Sequence, residues 1–74
     1  MNLIVALFLS VTIADTGKVM STTSQMRFQS IDQCENFILM MSEGYPYHRN
    51  DEGALVLTDP RTGNVITAKC YEDK

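Results

Sequence analysis

The sequence lacks most of the residues from which catalytic or metal sites are built. Its 74 residues include no tryptophan, one histidine and two cysteines. The two cysteines lie far apart, so there is no Cys-x-x-Cys pair, and no glycine-rich phosphate loop occurs. These absences argue against a zinc site, a P-loop and a Cys–His relay. We therefore assign no metal ligand, no cofactor and no catalytic residue, and we expect a protein that is not an enzyme.

Positive charge is also scarce. Six lysines and arginines stand against nine aspartates and glutamates, the formal net charge is −3, and no two basic residues are adjacent. Binding to a phosphate backbone requires clustered cations. We therefore expect that nucleic acid is not a partner.

The longest apolar run is too short to cross a membrane. It covers residues 3–14, whereas a transmembrane helix needs about 20 apolar residues. The length fits the hydrophobic region of a signal peptide, but no lysine or arginine precedes it. Residues 9–13 alternate apolar and polar side chains and are rich in β-branched ones, which is typical of a strand. We therefore predict a strand and keep cleavage of residues 1–14 as the alternative.

Turn signals predict two hairpins. Asp15-Thr16-Gly17-Lys18 supplies a turn within a hairpin over residues 3–28, and the stretch from Asp59 to Asn64 supplies another within residues 54–71. The two turns share a Thr-Gly pair, which indicates similar turn chemistry.

Capping signals predict one helix between the hairpins. Ser30 and Gln33 have the spacing of a capping box, in which Gln33 reaches back to the backbone of Ser30. The helix then covers residues 31–42, with Gly44 as its terminator, and residues 43–53 are predicted as a loop.

These elements make one domain over residues 1–74. The predicted fold class is α+β, in the order ββαββ: a small antiparallel sheet of two hairpins with one helix packed on one face. The strand order stays open. The predicted core combines two sets of side chains, namely Ile31, Cys34, Phe37, Ile38 and Met41 of the helix with Leu55, Leu57, Ile66, Ala68 and Cys70 of the second hairpin.

The two cysteines are predicted to face each other. Helical spacing places Cys34 on the inward stripe of the helix, and strand alternation places Cys70 on the inward face of the last strand. A disulfide between them closes a loop of about 36 residues and stabilises the fold by roughly 3–4 kcal/mol in the chain-entropy model. Buried reduced thiols that act as small hydrophobic residues are the alternative.

The N-terminal strand carries more apolar surface than one helix can cover. Leu3, Val5, Leu7 and Leu9 occupy one face, and Ile4, Ala6 and Phe8 occupy the other. Leu39 and Met40 lie off the helix stripe and add to the surplus. Contiguous exposed apolar patches mark interaction sites, so we predict a partner-binding surface at Ile4, Ala6 and Phe8. The alternative is that sheet curvature and the loop hide these side chains.

The predicted loop adds three candidate binding residues. Tyr45, Tyr47 and Arg49 have the composition of interface centres, where tyrosine and arginine are enriched. The alternative is that the tyrosines cover one end of the core. His48, Asp51 and Glu52 in the same loop are better explained as a solvated turn than as metal ligands.

One further pattern resembles a known group of proteins. The spacing Phe28-x-Ser30-x-x-x-Cys34-x-x-Phe37, with a cysteine near the end of the chain, resembles small uncharacterised proteins encoded by tailed bacteriophages. The resemblance implies a small virus-encoded accessory or host-modulating protein. The compartment stays open, with the host cytoplasm favoured unless residues 1–14 are cleaved.

The sequence therefore predicts a small interaction protein that self-associates or binds a partner protein through an apolar sheet face. The alternative is an exported, disulfide-stapled domain from which residues 1–14 are removed, located in the periplasm or secreted.

Overall fold

We describe a computed structural model that covers residues 4–73, the last of them by its backbone. The elements are β1 (Ile4–Thr12), β2 (Val19–Phe28), α1 (Ile31–Met41), β3 (Tyr47–Arg49), β4 (Leu55–Thr58) and β5 (Val65–Asp73). The strands form one antiparallel sheet in the order β2-β1-β5-β4-β3. This architecture confirms the predicted α+β fold of two hairpins and a helix.

Strand β1 lies inside the sheet. It pairs with β2 on one side and with β5 on the other, from Ile4 opposite Asp73 to Thr12 opposite Val65. The β1–β5 ladder therefore joins the N-terminal hairpin to the C-terminal one. Leu3, which was predicted to begin the first hairpin, lies outside the described residues.

The two hairpin turns lie side by side and share one hydrogen-bond pattern. Gly17 N–H donates to the Ile13 carbonyl and Gly63 N–H to the Asp59 carbonyl, each at 2.8 Å. Both glycines have positive φ, a conformation that costs glycine little. The Asn64 side-chain carbonyl accepts from Ala14 N–H at 2.9 Å and links the two turns. The predicted similarity of turn chemistry is confirmed.

The helix begins and ends with side-chain caps. Ser30 Oγ accepts from Gln33 N–H at 3.0 Å, as predicted. Gln33 Oε1, however, accepts from Gln29 N–H at 2.8 Å and not from Ser30, so the return bond lies one residue earlier than predicted. The helix ends at Met41, where Ser42 caps it through its N–H and its hydroxyl, both of which donate to the Ile38 carbonyl.

The core lies between α1 and the face of the sheet that bears Val5 and Leu7. Its fully or nearly buried members include Cys34 and Ile38 of the helix, with Phe28, Leu55, Leu57 and Ala68 of the sheet. Met41 was predicted in this core, but its side chain is 71% exposed. Met41 is the last residue of α1 and lies where the sheet face continues past the helix, so its side chain has fewer neighbours. Leu39, predicted as surplus, is partly buried against the core.

The predicted loop over residues 43–53 contains a short strand. β3 has three residues and pairs with β4, with His48 opposite Val56. It carries no apolar alternation, so its sequence gives no strand signal. The exposed edge of β4 supplies the hydrogen-bond partners that make it extended.

A disulfide joins Cys34 of α1 to Cys70 of β5, which confirms the predicted pairing of the two residues. The side chain of Cys34 is fully buried. The sequence separation of 36 residues makes this bond the covalent link between the helix and the last strand.

We expect replacement of both cysteines by alanine to lower the free energy of unfolding by about 3–4 kcal/mol, because the unfolded chain loses a long-loop constraint. Urea unfolding of both proteins measures the difference. Reduced wild-type protein is the matched control and should fall within about 1 kcal/mol of the double variant. Equal stability of the oxidised protein and the double variant would contradict the expectation.

We expect deletion of residues 1–14 to abolish cooperative unfolding, because β1 supplies partners to two strands and the buried side chains of Val5 and Leu7. Thermal melts and dispersion of the amide NMR spectrum measure the effect against the intact chain. A dispersed spectrum and a sharp melt for the shortened chain would show that the sheet forms without β1.

Candidate interaction surfaces

The apolar row predicted on β1 is only partly exposed. Ile4 is 44% exposed and Phe8 37%, whereas Ala6 is fully buried. The register places Ala6 between Arg27 of β2 and Tyr71 of β5, and a methyl group is much shorter than either neighbour. The expectation that Ala6 lies on the binding surface is therefore corrected: its side chain is not accessible to a partner.

Polar neighbours also interrupt this face of the sheet. Phe8 lies between Thr23 of β2 and Lys69 of β5, and Ser10 follows it along β1. Ile4 and Phe8 are thus partly exposed apolar side chains on a mixed surface, with the buried Ala6 between them.

Tyr45 is held in the fold at both ends of its side chain. Its ring packs against the core, and its hydroxyl donates to Asp59 Oδ2 at 3.3 Å. The backbone N–H of Arg61, followed by the Tyr45 hydroxyl, keeps the pKa of the Asp59 carboxyl below its ordinary value. Tyr45 thus covers the end of the core, as the packing alternative predicted.

Arg49 ties β3 to the helix. Its Nη1 and Nη2 donate to the two carboxylate oxygens of Glu35 at 2.7 and 2.9 Å, and Nη1 also donates to the Gly53 carbonyl at 2.8 Å. These hydrogen bonds lower the pKa of Glu35 and raise that of Arg49. The Arg49 guanidinium, which was predicted to face a partner, therefore forms a bidentate ion pair within the chain.

Tyr47 remains an accessible side chain of this segment, and it lies on the helix-bearing side of the sheet, opposite Leu57. His48 alternates to the other side and is exposed. Within residues 4–73, no group of three or more histidine, cysteine, aspartate or glutamate side chains is arranged to hold a metal ion.

An apolar concave surface lies beneath the end of α1, on the helix-bearing face. We call it the apolar groove. Its volume is about 310 Å³, and it is lined by Leu7, Leu9, Phe37, Ile38, Met41, Ser42, Tyr45, Leu57 and Ile66. The helix ends where these strands continue, so the sheet face beyond the helix end lacks a helical cover. The groove follows from this difference in length.

The other side of the helix has a different character. A depression of about 400 Å³ there is lined by Phe28, Phe37 and Met40 together with Arg27, Gln33 and Asn36. Met40 and Met41 are therefore neighbours in sequence that border two distinct surfaces, one mixed and one apolar. Both are strongly exposed, at 68% and 71%.

Sequence reasoning did not find the groove because it assigned Met41, Leu57 and Ile66 to a closed core. Periodicity identifies which side chains face the helix, but it does not show how far along the strands the helix reaches. One signal was present: the predicted helix over residues 31–42 spans roughly 18 Å, whereas the predicted strand over residues 3–14 spans roughly 40 Å.

No protein family, no curated protein and no solved structure matches this chain. In the described part of the chain, no helix has both the length and the apolar character required to cross a bilayer.

We expect replacement of Arg49 by methionine to raise the pKa of Glu35 towards its ordinary value, because the guanidinium is what lowers it. The folded state then no longer favours the carboxylate. In the wild type this contribution to stability is present above the unfolded-state pKa of Glu35 and is lost as the pH falls through the lower folded-state pKa.

Carboxyl NMR titration measures the pKa directly, and the stability difference between wild type and Arg49→Met should shrink with acidification. Arg61→Met is the control, since Arg61 does not contact Glu35 and should leave its pKa unchanged. A Glu35 pKa that is the same in wild type and Arg49→Met would show that the ion pair is not formed in solution.

Proposed function

We propose that this chain is a small non-enzymatic interaction protein that binds apolar side chains of a partner protein on the helix-bearing face of its sheet. The observation that carries the proposal is the apolar groove. A concave apolar surface on a small protein is the usual form of a site that takes up side chains or small ligands.

The polar atoms at the groove are already engaged within the chain. Ser42 Oγ donates to the Ile38 carbonyl at 2.7 Å, and the Tyr45 hydroxyl donates to Asp59. Both side-chain hydroxyls at the groove therefore already donate a hydrogen bond within the chain. Such a surface favours aliphatic or aromatic groups and disfavours charged ones, which would lose their hydration.

Met41 gives the groove an adaptable rim. Its unbranched thioether side chain rotates about three bonds and adapts to different apolar shapes. Met20, Met26 and Met40 are exposed as well. Methionine is over-used on protein surfaces that bind more than one apolar sequence, and this composition supports a protein partner.

The row at Ile4 and Phe8 supports the same function less well, because a buried Ala6 and polar neighbours interrupt it. A host protein is the class of partner that the resemblance to bacteriophage accessory proteins implies.

A second candidate, an exported stapled domain, is favoured by the Cys34–Cys70 disulfide, since disulfides persist in oxidising compartments. In the form predicted from the sequence, this candidate loses residues 1–14 and with them β1. The version that fits the fold retains β1. The intact mass of protein isolated from its natural source tests it. A mass that includes β1, together with no free thiol, supports the retained form. Two free thiols contradict export.

Selection of peptides from a random display library on the immobilised, oxidised protein tests the groove. We expect selected peptides to carry spaced apolar side chains. Met41→Glu should weaken their binding by about tenfold or more, because the carboxylate would have to be desolvated on complex formation.

Met40→Glu is the matched control, since it adds the same charge at a similarly exposed position on the other side of the helix. It should change the affinity by no more than about threefold. Phe8→Asp reports on the opposite face of the sheet. Peptides that tolerate Met41→Glu, or that lose affinity only with Phe8→Asp, would overturn the assignment to the groove.

A further inference from the structure

The two free edges of the sheet differ in how well they are protected. The β3 edge is three residues long, follows Pro46 and carries Arg49. Short length, proline and charge are the usual protections against strand addition. The β2 edge is ten residues long, and no charged or proline residue occurs between Lys18 and Arg27.

The hydrogen bonds at the first turn show which backbone groups of β2 are directed outwards. Ile13 N–H donates to the Lys18 carbonyl at 2.8 Å, which makes them a hydrogen-bonded pair. Such pairs alternate with non-hydrogen-bonded ones along an antiparallel ladder, and the register with β1 is regular over residues 19–23. The N–H and C=O groups that point away from β1 therefore belong to Val19, Ser21 and Thr23.

The second half of β2 is closed by its own side chains. The register shifts between Ala6 and Phe8 of β1, opposite this half. Ser24 Oγ accepts from Met26 N–H at 3.1 Å. Arg27 Nη1 donates to the carbonyls of Ser24 and Met26 at 2.9 and 3.0 Å. The bulge disrupts the second half of the edge, and the Arg27 guanidinium occupies two of its carbonyl groups. Residues 19–23 are therefore the open part of the edge, where another strand can pair.

We propose that a second copy of this chain pairs with this open edge, β2 against β2, in antiparallel register with the two-fold axis at Ser21. Ser21 then faces Ser21 of the other copy, and Val19 faces Thr23. All three outward-pointing residues find partners in this register, which gives roughly six main-chain hydrogen bonds. If the register shifted by one residue, the outward-pointing N–H and C=O groups of one copy would face residues of the other copy whose N–H and C=O groups point inwards.

A second copy fits this edge because the open segment is complementary to itself. It is uncharged, so the two-fold brings no like charges together. On the helix-bearing face, Met20 lies opposite Thr22 of the second copy and diagonal to its Met20. Met20 is 52% exposed in the single chain, and the pairing would cover part of its surface. The contact is distinct from the apolar groove and extends the proposed function to self-association.

Sedimentation velocity of the full oxidised chain from roughly 10 µM to roughly 1 mM tests the pairing, since a small interface gives a weak complex. We expect the mass to rise from the 8.3 kDa monomer towards the dimer. In the same range, solvent exchange of the amides of Val19, Ser21 and Thr23 should slow by about tenfold or more, while residues 24–27 stay unchanged.

Ser21→Lys should weaken the dimer by about tenfold or more, because two ammonium groups would meet at the axis. Ser21→Pro should do the same by removing an outward-pointing N–H, which an edge strand tolerates without losing its own pairing. His48→Lys adds the same residue to the other sheet edge and should leave the dimer unchanged. Amide spectra confirm that each variant folds.

A monomer throughout the range overturns the proposal. So does a dimer that survives both Ser21 variants, or one that dissociates with Phe8→Asp or Met41→Glu, since association would then use a face of the sheet. Peptide binding to the groove is measured at a concentration where the chain is monomeric. The two proposals therefore fail independently.

Discussion

Strand β1 is hydrogen-bonded along both edges, and the rest of the structure depends on this double pairing. Strands on both sides of β1 flank its side chains, so a short side chain can be buried even on the face that lacks the helix. Val5 and Leu7 fill the core beneath the helix, while Ala6 is buried by the longer side chains on either side. The apolar run at the start of the chain thus supplies core side chains on the helix-bearing face, while Ile4 and Phe8 stay partly exposed on the other face.

The second determinant is the difference in length between the helix and the strands. The eleven-residue helix is attached to β5 by the disulfide at Cys70, close to Leu7 of β1. The strands extend beyond the helix towards the paired turns. The core is therefore closed near the disulfide and open near Leu9 and Ile66, and the groove and the exposed Met41 follow from the same geometry.

Much of the fold could be predicted because local signals and periodicity agree. The two turns, the Ser30 cap and the alternation that points Cys34 and Cys70 inwards are all local patterns, and together they yield the hairpins, the helix and the disulfide. The candidate site was harder to predict. Arg49 meets Glu35 fourteen residues away, and β3 forms because β4 offers an edge. Both depend on tertiary placement, which no local pattern encodes.

The pairing of Ile4 with Asp73 brings the two ends of the described chain onto adjacent strands. Even the innermost pair of the central ladder, Thr12 with Val65, joins residues 53 positions apart, so folding closes a long loop before β1 and β5 can pair. This entropic cost slows the folding of so small a domain. Because the two described ends lie close together, the fold is well suited to circular permutation. A short linker between the ends, with new termini opened in the exposed stretch around residues 51–53, would make the β1–β5 contact local while preserving every strand.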